Sequence, residues 1–341
     1  MSIVRTGLTV KDLPPPLSEK QGWPWTEESS PIPERMPDGS EWPRISIITP
    51  SYNQGQFIEE TIRSILLQGY PNLEYILIDG GSTDNTIEIL KKYEPYFTYW
   101  VSEPDAGQSD AINKGFHKTT GELIAWQNSD DYYAPDVFIK IALATRENLD
   151  ADVFYGAANV IDSQYKLIQY LEVTELNVES ILPWFHIVNQ SCFFKRKNFK
   201  LGNFVSSNFS HFMDYELFWR LLLEQKQFQF IPGVNSYFRI HQTSKGSTQD
   251  YRLVAKELAI IYKMAYEASE VLLPGVRKKA LECSRGLYLD NFANYRFAQF
   301  REGVVDLISR SGLRLRDSEL YAKYFVSLLG MTFVKKLKQF L

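Results

Sequence analysis

With 341 residues, 44% of them hydrophobic and 14% aromatic, the chain can bury a sizeable core, which excludes a disordered protein. The formal charge of −4 is unevenly spread: residues 251–341 carry 16 basic against 9 acidic side chains, and the rest carries −11. An acidic body with a basic tail excludes a general nucleic-acid binder, and two distant cysteines, Cys192 and Cys283, exclude a disulfide framework.

No apolar run reaches the roughly 18 residues that span a bilayer, and MSIVRTGLTVKD lacks the apolar centre of a signal peptide. The expectation is therefore a cytoplasmic protein. Its basic end, GMTFVKKLKQFL, is a candidate for contact with the anionic inner membrane face, or else a solvated helix end.

Residues 1–43 are rich in Pro, Ser and Glu, which predicts an extended arm held on the body by Trp23, Trp25 and Trp42. Next comes ISIIT, a short β-branched run of the kind that forms a buried parallel strand. QFIEETIRSILLQ is helical in period, and LEYILID is a second strand. STDNTIEILKKY is a helix with Ser82 or Thr83 as its cap. YFTYWVSE, SDAINKGFHK and ELIAWQ then read as strand, helix and strand. Such alternation implies right-handed crossovers and an open, mostly parallel α/β sheet flanked by helices.

A helix is expected over 135–147, then an antiparallel pair, DVFYGAANVID with QYKLIQYLE. SCFFKRK is a strand, DYELFWRLLLEQ a helix, and FQFIPG and NSYFRIH two final strands. From Thr248 onward only helical patterns remain, so the expected division is an arm (1–43), an α/β domain (44–247) and a helical C-terminal subdomain (248–341).

Ligands of open parallel sheets bind beyond the carboxyl ends of the strands. That rim receives TPSYNQ, DGGSTDNT, SEPDAGQSDAINKG and QNSDDYY. No GxxxxGK[ST], GxGxxG, HExxH or GxSxG motif occurs, which removes P-loop, dinucleotide, zinc-protease and serine-hydrolase readings. Asp130 and Asp131 repel each other and suit a hard cation, Mg²⁺ or Mn²⁺, whose shell is completed by substrate phosphates.

SIITPSYNQGQFIEETIRSILLQGYPNLEYILIDGGSTDNT, SEPDAGQSDAINKG, NSDDYY and MDYELFWRL, in this order, resemble family 2 glycosyltransferases of GT-A fold. The subgroup concerned acts in bacterial surface-polysaccharide assembly. The resemblance covers roughly residues 44–245 and leaves out the arm and the helical tail.

The resemblance implies that Pro50, Ser51, Tyr52 and Asn53 surround the nucleotide base and that Asp79 accepts from the base N3–H. Asp105 and Asp110 would line the nucleotide-sugar site, with Lys114 offsetting diphosphate charge. Asn128-Ser129-Asp130-Asp131 matches the DxD-like motif: Asp130 facing ribose or metal, Asp131 the principal metal ligand, and Asn128 where some members carry a carboxylate. The base would be Asp214, preceded by Met213 instead of the usual Glu, at a helix start that favours the carboxylate form. His241 would be a third metal ligand or a diphosphate contact, Arg239 or Lys245 would bind phosphate, and Trp184, His186, Asn189 and Gln190 would lie on the acceptor side.

Each residue also has a plainer reading. Asp131 and Asp214 could be helix caps, Asp79 a turn residue, Asp110 with Lys114 a solvated i,i+4 pair, and His186 and His241 structural histidines. The leading expectation is an inverting transferase that moves a sugar from a UDP-sugar, with dTDP-sugar the second choice, to a glycan or lipid-linked hydroxyl. The alternatives are a catalytically silent scaffold that binds nucleotide-sugar or glycan, and a nucleotidyltransferase.

Overall fold

The computed structural model describes residues 7–16, 19–173, 176, 178–182, 187–199, 202, 204–245, 251–268, 270, 271, 273–294, 300–305, 323 and 327. The chain divides into two compact units. The first comprises 1–175, 186–217 and 224–247; the second comprises 176–185, 218–223 and 248–341.

The elements run β1 (Ile45–Ser51), α1 (Ile58–Leu66), β2 (Leu73–Asp79), α2 (Thr86–Tyr93), β3 (Tyr99–Ser102), α3 (Gln108–Phe116), β4 (Leu123–Trp126), β5 (Tyr132–Tyr133) and α4 (Val137–Glu147). They continue with β6 (Val153–Asp162), β7 (Leu167–Leu171), α5 (Val178–Ile181), β8 (Cys192–Lys195), α6 (Met213–Leu223), β9 (Phe228–Ile240), α7 (Tyr251–Glu267) and α8 (Val276–Ala293).

One sheet of the first unit holds all nine strands, in the order β3-β2-β1-β4-β8-β6-β9-β5, with β7 paired to β6. β3, β2, β1 and β4 are parallel, as the βα alternation requires. Every residue of β1 and β2 is buried, which is why their apolar residues do not alternate with exposed polar ones, and the buried Ser46 and Glu74 bond to each other. Beyond β4 the sheet is mixed: β8 is antiparallel to β4 and β6, β7 is antiparallel to β6, and β9 is parallel to β6. "Mostly parallel" therefore fits the first four strands, not the whole sheet.

Two local expectations are corrected and one short strand is added. The two strands expected at 228–233 and 235–241 are one, β9, because Pro232 and Gly233 are absorbed as an irregularity in its register with β6. Tyr132 and Tyr133 form a short strand on β9, with Tyr132 stacked on Tyr237 at 4.5 Å between ring centres. α2 begins at Thr86 rather than Ser82, because the Ser82 hydroxyl is bonded to Asp79.

The N-terminal segment packs on this sheet. Leu8, Leu13, Met36 and Trp42 join its main apolar cluster. Arg63 of α1, fully buried, donates to the carbonyls of Pro14 (2.8 Å), Pro24 (3.0 Å) and Trp25 (3.0 Å) and to the Tyr93 hydroxyl (3.1 Å). Trp23 adds a bond from its indole to the Tyr133 carbonyl at 2.7 Å.

In the second unit α7 packs on α8, burying Ile261, Tyr262, Ala280 and Tyr288. Among the described residues no helix is long and apolar enough to cross a membrane. The basic end GMTFVKKLKQFL lies outside the described residues.

Candidate functional site

The parallel strands β1, β2, β3 and β4 end on one rim, and the segments that follow them are laced together there. Asn53, in a left-handed conformation at φ 52°, donates its backbone N–H to Ser82 Oγ (2.8 Å) and accepts from Thr83 N through Oδ1 (2.8 Å). Gly55 N–H donates to Asp84 Oδ2 at 2.9 Å. Of the expected base-side residues, Asn53 holds the loop and Tyr52 presents its ring to solvent at 59% exposure. Pro50 lies within β1, paired with Ile78.

Asp79, expected to meet the base, is fully buried. Its Oδ2 accepts from Gly81 N (3.0 Å), Ser82 N (2.9 Å) and Ser102 Oγ (2.6 Å), and its Oδ1 from Ser82 Oγ (2.5 Å). Four protein donors use the carboxylate to hold the turn after β2 and the end of β3.

Asp105 lies on the next loop and accepts from Gly107 N at 2.8 Å through Oδ1. Asp110 accepts from Ala106 N (3.1 Å) and from Lys114 Nζ (3.4 Å), which also meets Glu103 at 3.0 Å. Both members of the i,i+4 pair are partly exposed, as in its plainer reading.

The adjacent acids separate. Asp131 is 1% exposed: Oδ1 accepts from Arg239 N (2.7 Å), and Oδ2 from Gln190 Nε2 (2.6 Å) and Asn128 Nδ2 (3.0 Å). Burial, with the charge of Asp130 next, pushes its pKa well above the usual carboxylate range, and the three donors pull it back. Asp131, expected as the principal metal ligand, turns both carboxylate oxygens toward protein donors. It also engages Gln190, 3% exposed, as its donor rather than as an acceptor-side group.

Asp130 faces the other way. Its Oδ2 lies 3.1 Å from His241 Nε2, while His241 Nδ1 is 2.9 Å from Thr243 Oγ1 and its ring packs on Phe57 at 4.6 Å between centres. A hydroxyl partner on one ring nitrogen orients the imidazole and leaves the other directed at the carboxylate, the donor set of a borderline-to-hard divalent ion. Among the described residues no cluster of three or more His, Cys, Asp or Glu could hold a metal, so a cation here would take two protein ligands and the rest from substrate or water.

Gln108, which the sequence reading passed over, ties this corner together. Its Nε2 donates to Asn128 Oδ1 (2.9 Å) and its Oε1 accepts from Lys245 Nζ (3.1 Å). A lone glutamine in the first turn of a helix carries no sequence signal for this bridge.

Arg239, expected as a phosphate contact, is held by protein partners. It is 1% exposed, its Nη2 meets Glu60 Oε2 at 2.6 Å, and its Nε donates to the Asp130 carbonyl at 3.0 Å. Phe57 and Arg239 also line a cavity of about 590 Å³ with Lys20, Glu59, Lys92 and Tyr165.

Asp214 is the second residue of α6, with Oδ1 accepting from Tyr215 N at 2.9 Å. Met213 before it is buried, and its sulfur accepts from Ser109 Oγ of α3 at 3.1 Å, so the helix start is anchored by a thioether. Asn189, also expected on the acceptor side, is buried in the turn before β8. Trp184 and His186 lie outside the described residues.

Residues 46–221, just over half of the chain, match the model of the family described as glycosyl transferase family 2. A relative from Bacillus subtilis, a putative teichuronic acid biosynthesis glycosyltransferase named TuaG, is 38% identical over 138 residues, which is 39% of this chain and 54% of that protein. Several curated relatives are matched over only 24–54% of their own length.

Among solved structures, S. aureus TarS 1-349 in complex with UDP-GlcNAc superposes with a TM-score of 0.61 at 16% identity, over 83% of this chain and 89% of that one. The mannosyltransferase PcManGT from Pyrobaculum calidifontis, in complex with GDP-Man and Mn²⁺, gives 0.51 at 19% identity, over 84% and 81%. Both likenesses are of fold.

Proposed function

The chain belongs to glycosyl transferase family 2 and has the GT-A fold, and from that premise we propose that it is an inverting, metal-dependent transferase using a UDP-sugar donor. The acceptor in this reading is a hydroxyl of a growing or lipid-linked surface glycan. The names of TuaG and TarS, the latter bound to UDP-GlcNAc, support donor class and pathway, and PcManGT's Mn²⁺ supports a divalent ion. The observation that carries the proposal is the approach of His241 Nε2 to Asp130 Oδ2 at 3.1 Å beside the Asn128–Gln108–Lys245 bridge.

Asp130 and His241 would hold the ion, which when bound supplies charge neutralisation for the diphosphate leaving group. Lys245, positioned by Gln108, adds a cation for phosphate oxygens. Asp214 takes the proton from the acceptor hydroxyl as that oxygen forms its bond to the anomeric carbon. The bond from that carbon to the diphosphate oxygen breaks on the opposite side, so an α-linked donor gives a β-linked product. Asp131 takes no part in the chemistry; it pins the Asp130 loop to the β9 segment that carries His241.

The test is UDP release from a panel of UDP- and dTDP-sugars with Mn²⁺ and mixed glycan acceptors. Asp214→Asn should lower turnover by about a hundredfold or more, the usual scale for an acid–base group, Asp130→Ala should lower turnover by weakening the hold on Mn²⁺, and EDTA should abolish what Mn²⁺ restores. Wild-type turnover in either variant removes that residue's role. A second reading, a silent glycan- or nucleotide-sugar-binding scaffold, draws on Met213 in place of an acid; calorimetric binding of UDP without any release would favour it.

A further inference from the structure

Asp79 is saturated by protein donors, and a second carboxylate, that of Asp105, reaches the end of β2 on the same rim. Its Oδ1 accepts from Gly107 N at 2.8 Å, and among the described residues its Oδ2 has no hydrogen-bond partner. Where Oδ2 sits is informative. A Cβ placed on Gly80 would lie 2.7 Å from Oδ2 and 3.1 Å from Cγ of Asp105. The acid from the loop after β3 thus occupies the space that a side chain at the end of β2 would fill, and glycine at 80 makes the room. Gly80 itself is fixed by a bond from its N–H to the Ser51 carbonyl at 2.8 Å. Tyr52, the next residue, carries the exposed aromatic ring of the rim, at 59%.

The geometry points to Asp105 as the group that selects the pyrimidine base, with Oδ2 accepting the N3–H of uracil or thymine and Tyr52 offering its ring face to the base. This rests on the nucleotide-sugar reading above. Uracil presents a donor at N3; cytosine presents a lone pair there, which would face a carboxylate without a proton between them. A site with a fixed acceptor rejects a ligand that lacks the matching donor, because the buried polar group is left unpaired.

Calorimetry with Mn²⁺ and UDP, CDP or GDP, on wild type, Asp105→Asn and Gly80→Ala, tests it. Wild type should prefer UDP by about tenfold or more, the scale of one hydrogen bond to a charged group. Asp105→Asn, whose amide can accept or donate, should bring that ratio close to one. Gly80→Ala meets only a side-chain end and is not at positive φ, so it should fold with nearly wild-type thermal stability yet displace the carboxylate and shrink the ratio. If either variant binds UDP with wild-type discrimination, the assignment of Asp105 falls while the transferase reading stands. If wild type binds neither nucleotide, or binds a purine diphosphate better, both fall together.

Discussion

At position 131 a carboxylate lies beneath three N–H donors from Arg239, Gln190 and Asn128, while its neighbour at 130 faces His241. Asparagine at 131 keeps the shape but puts an NH₂ among three donors, with one oxygen left to satisfy them. Asp131→Asn should cost about 2–4 kcal/mol, the scale of breaking a buried hydrogen-bonded charge, read as a lower urea midpoint at unchanged slope. A wild-type midpoint would mean that the carboxylate does not tie β9 to this loop. The string NSDDYY gave notice that two acids share a strand end. It did not say which one turns outward, because that depends on β9 covering one face of the turn, and its Arg239 is more than a hundred residues away. Asp79 teaches the same lesson: its place after β2 was legible, but Ser102, its partner on β3, was not.

Among the elements, the N-terminal segment takes three hydrogen bonds from one side chain of α1. Arg63 donates to three backbone carbonyls on it, at Pro14, Pro24 and Trp25, and is fully buried. Arg63→Ala leaves those carbonyls with only water to replace the guanidinium. We expect a loss of about 3 kcal/mol and, in native conditions, faster proteolysis within residues 7–43. Unchanged protection of that segment would show that its apolar contacts alone suffice. The Pro-rich composition announced an extended segment, and its tryptophans announced packing; Arg63, in the middle of an ordinary amphipathic helix, gave no sign of the partner. The merger of FQFIPG and NSYFRIH into β9 was likewise hidden, since Pro and Gly read as a stop until the parallel neighbour β6 supplies a register that tolerates them.

Across the whole molecule, buried acids set a pH dependence. Glu60 is 2% exposed, and burial raises its pKa above 4.5, with the Arg239 charge only partly offsetting that. A raised native pKa means that the folded chain keeps a proton the unfolded chain has released. Glu60's contribution to stability is therefore full below about pH 4.5 and is lost as pH rises through its native value. The stability of wild type relative to Glu60→Gln should shrink as pH rises above 4.5 in urea titrations; a difference that grows with pH would reverse the sign and refute the assignment.

By itself the sequence determined the parallel half of the fold, the rim on which the loops converge, and the family, because these rest on local periodicity and on ordered short motifs. Only the tertiary structure decided how the acids divide their duties. A carboxylate becomes a ligand-facing group or a loop-holding group according to which donors surround it. Those donors come from Arg239, Gln190, Ser102 and His241, residues brought near by strand pairing and chain crossing rather than by sequence proximity.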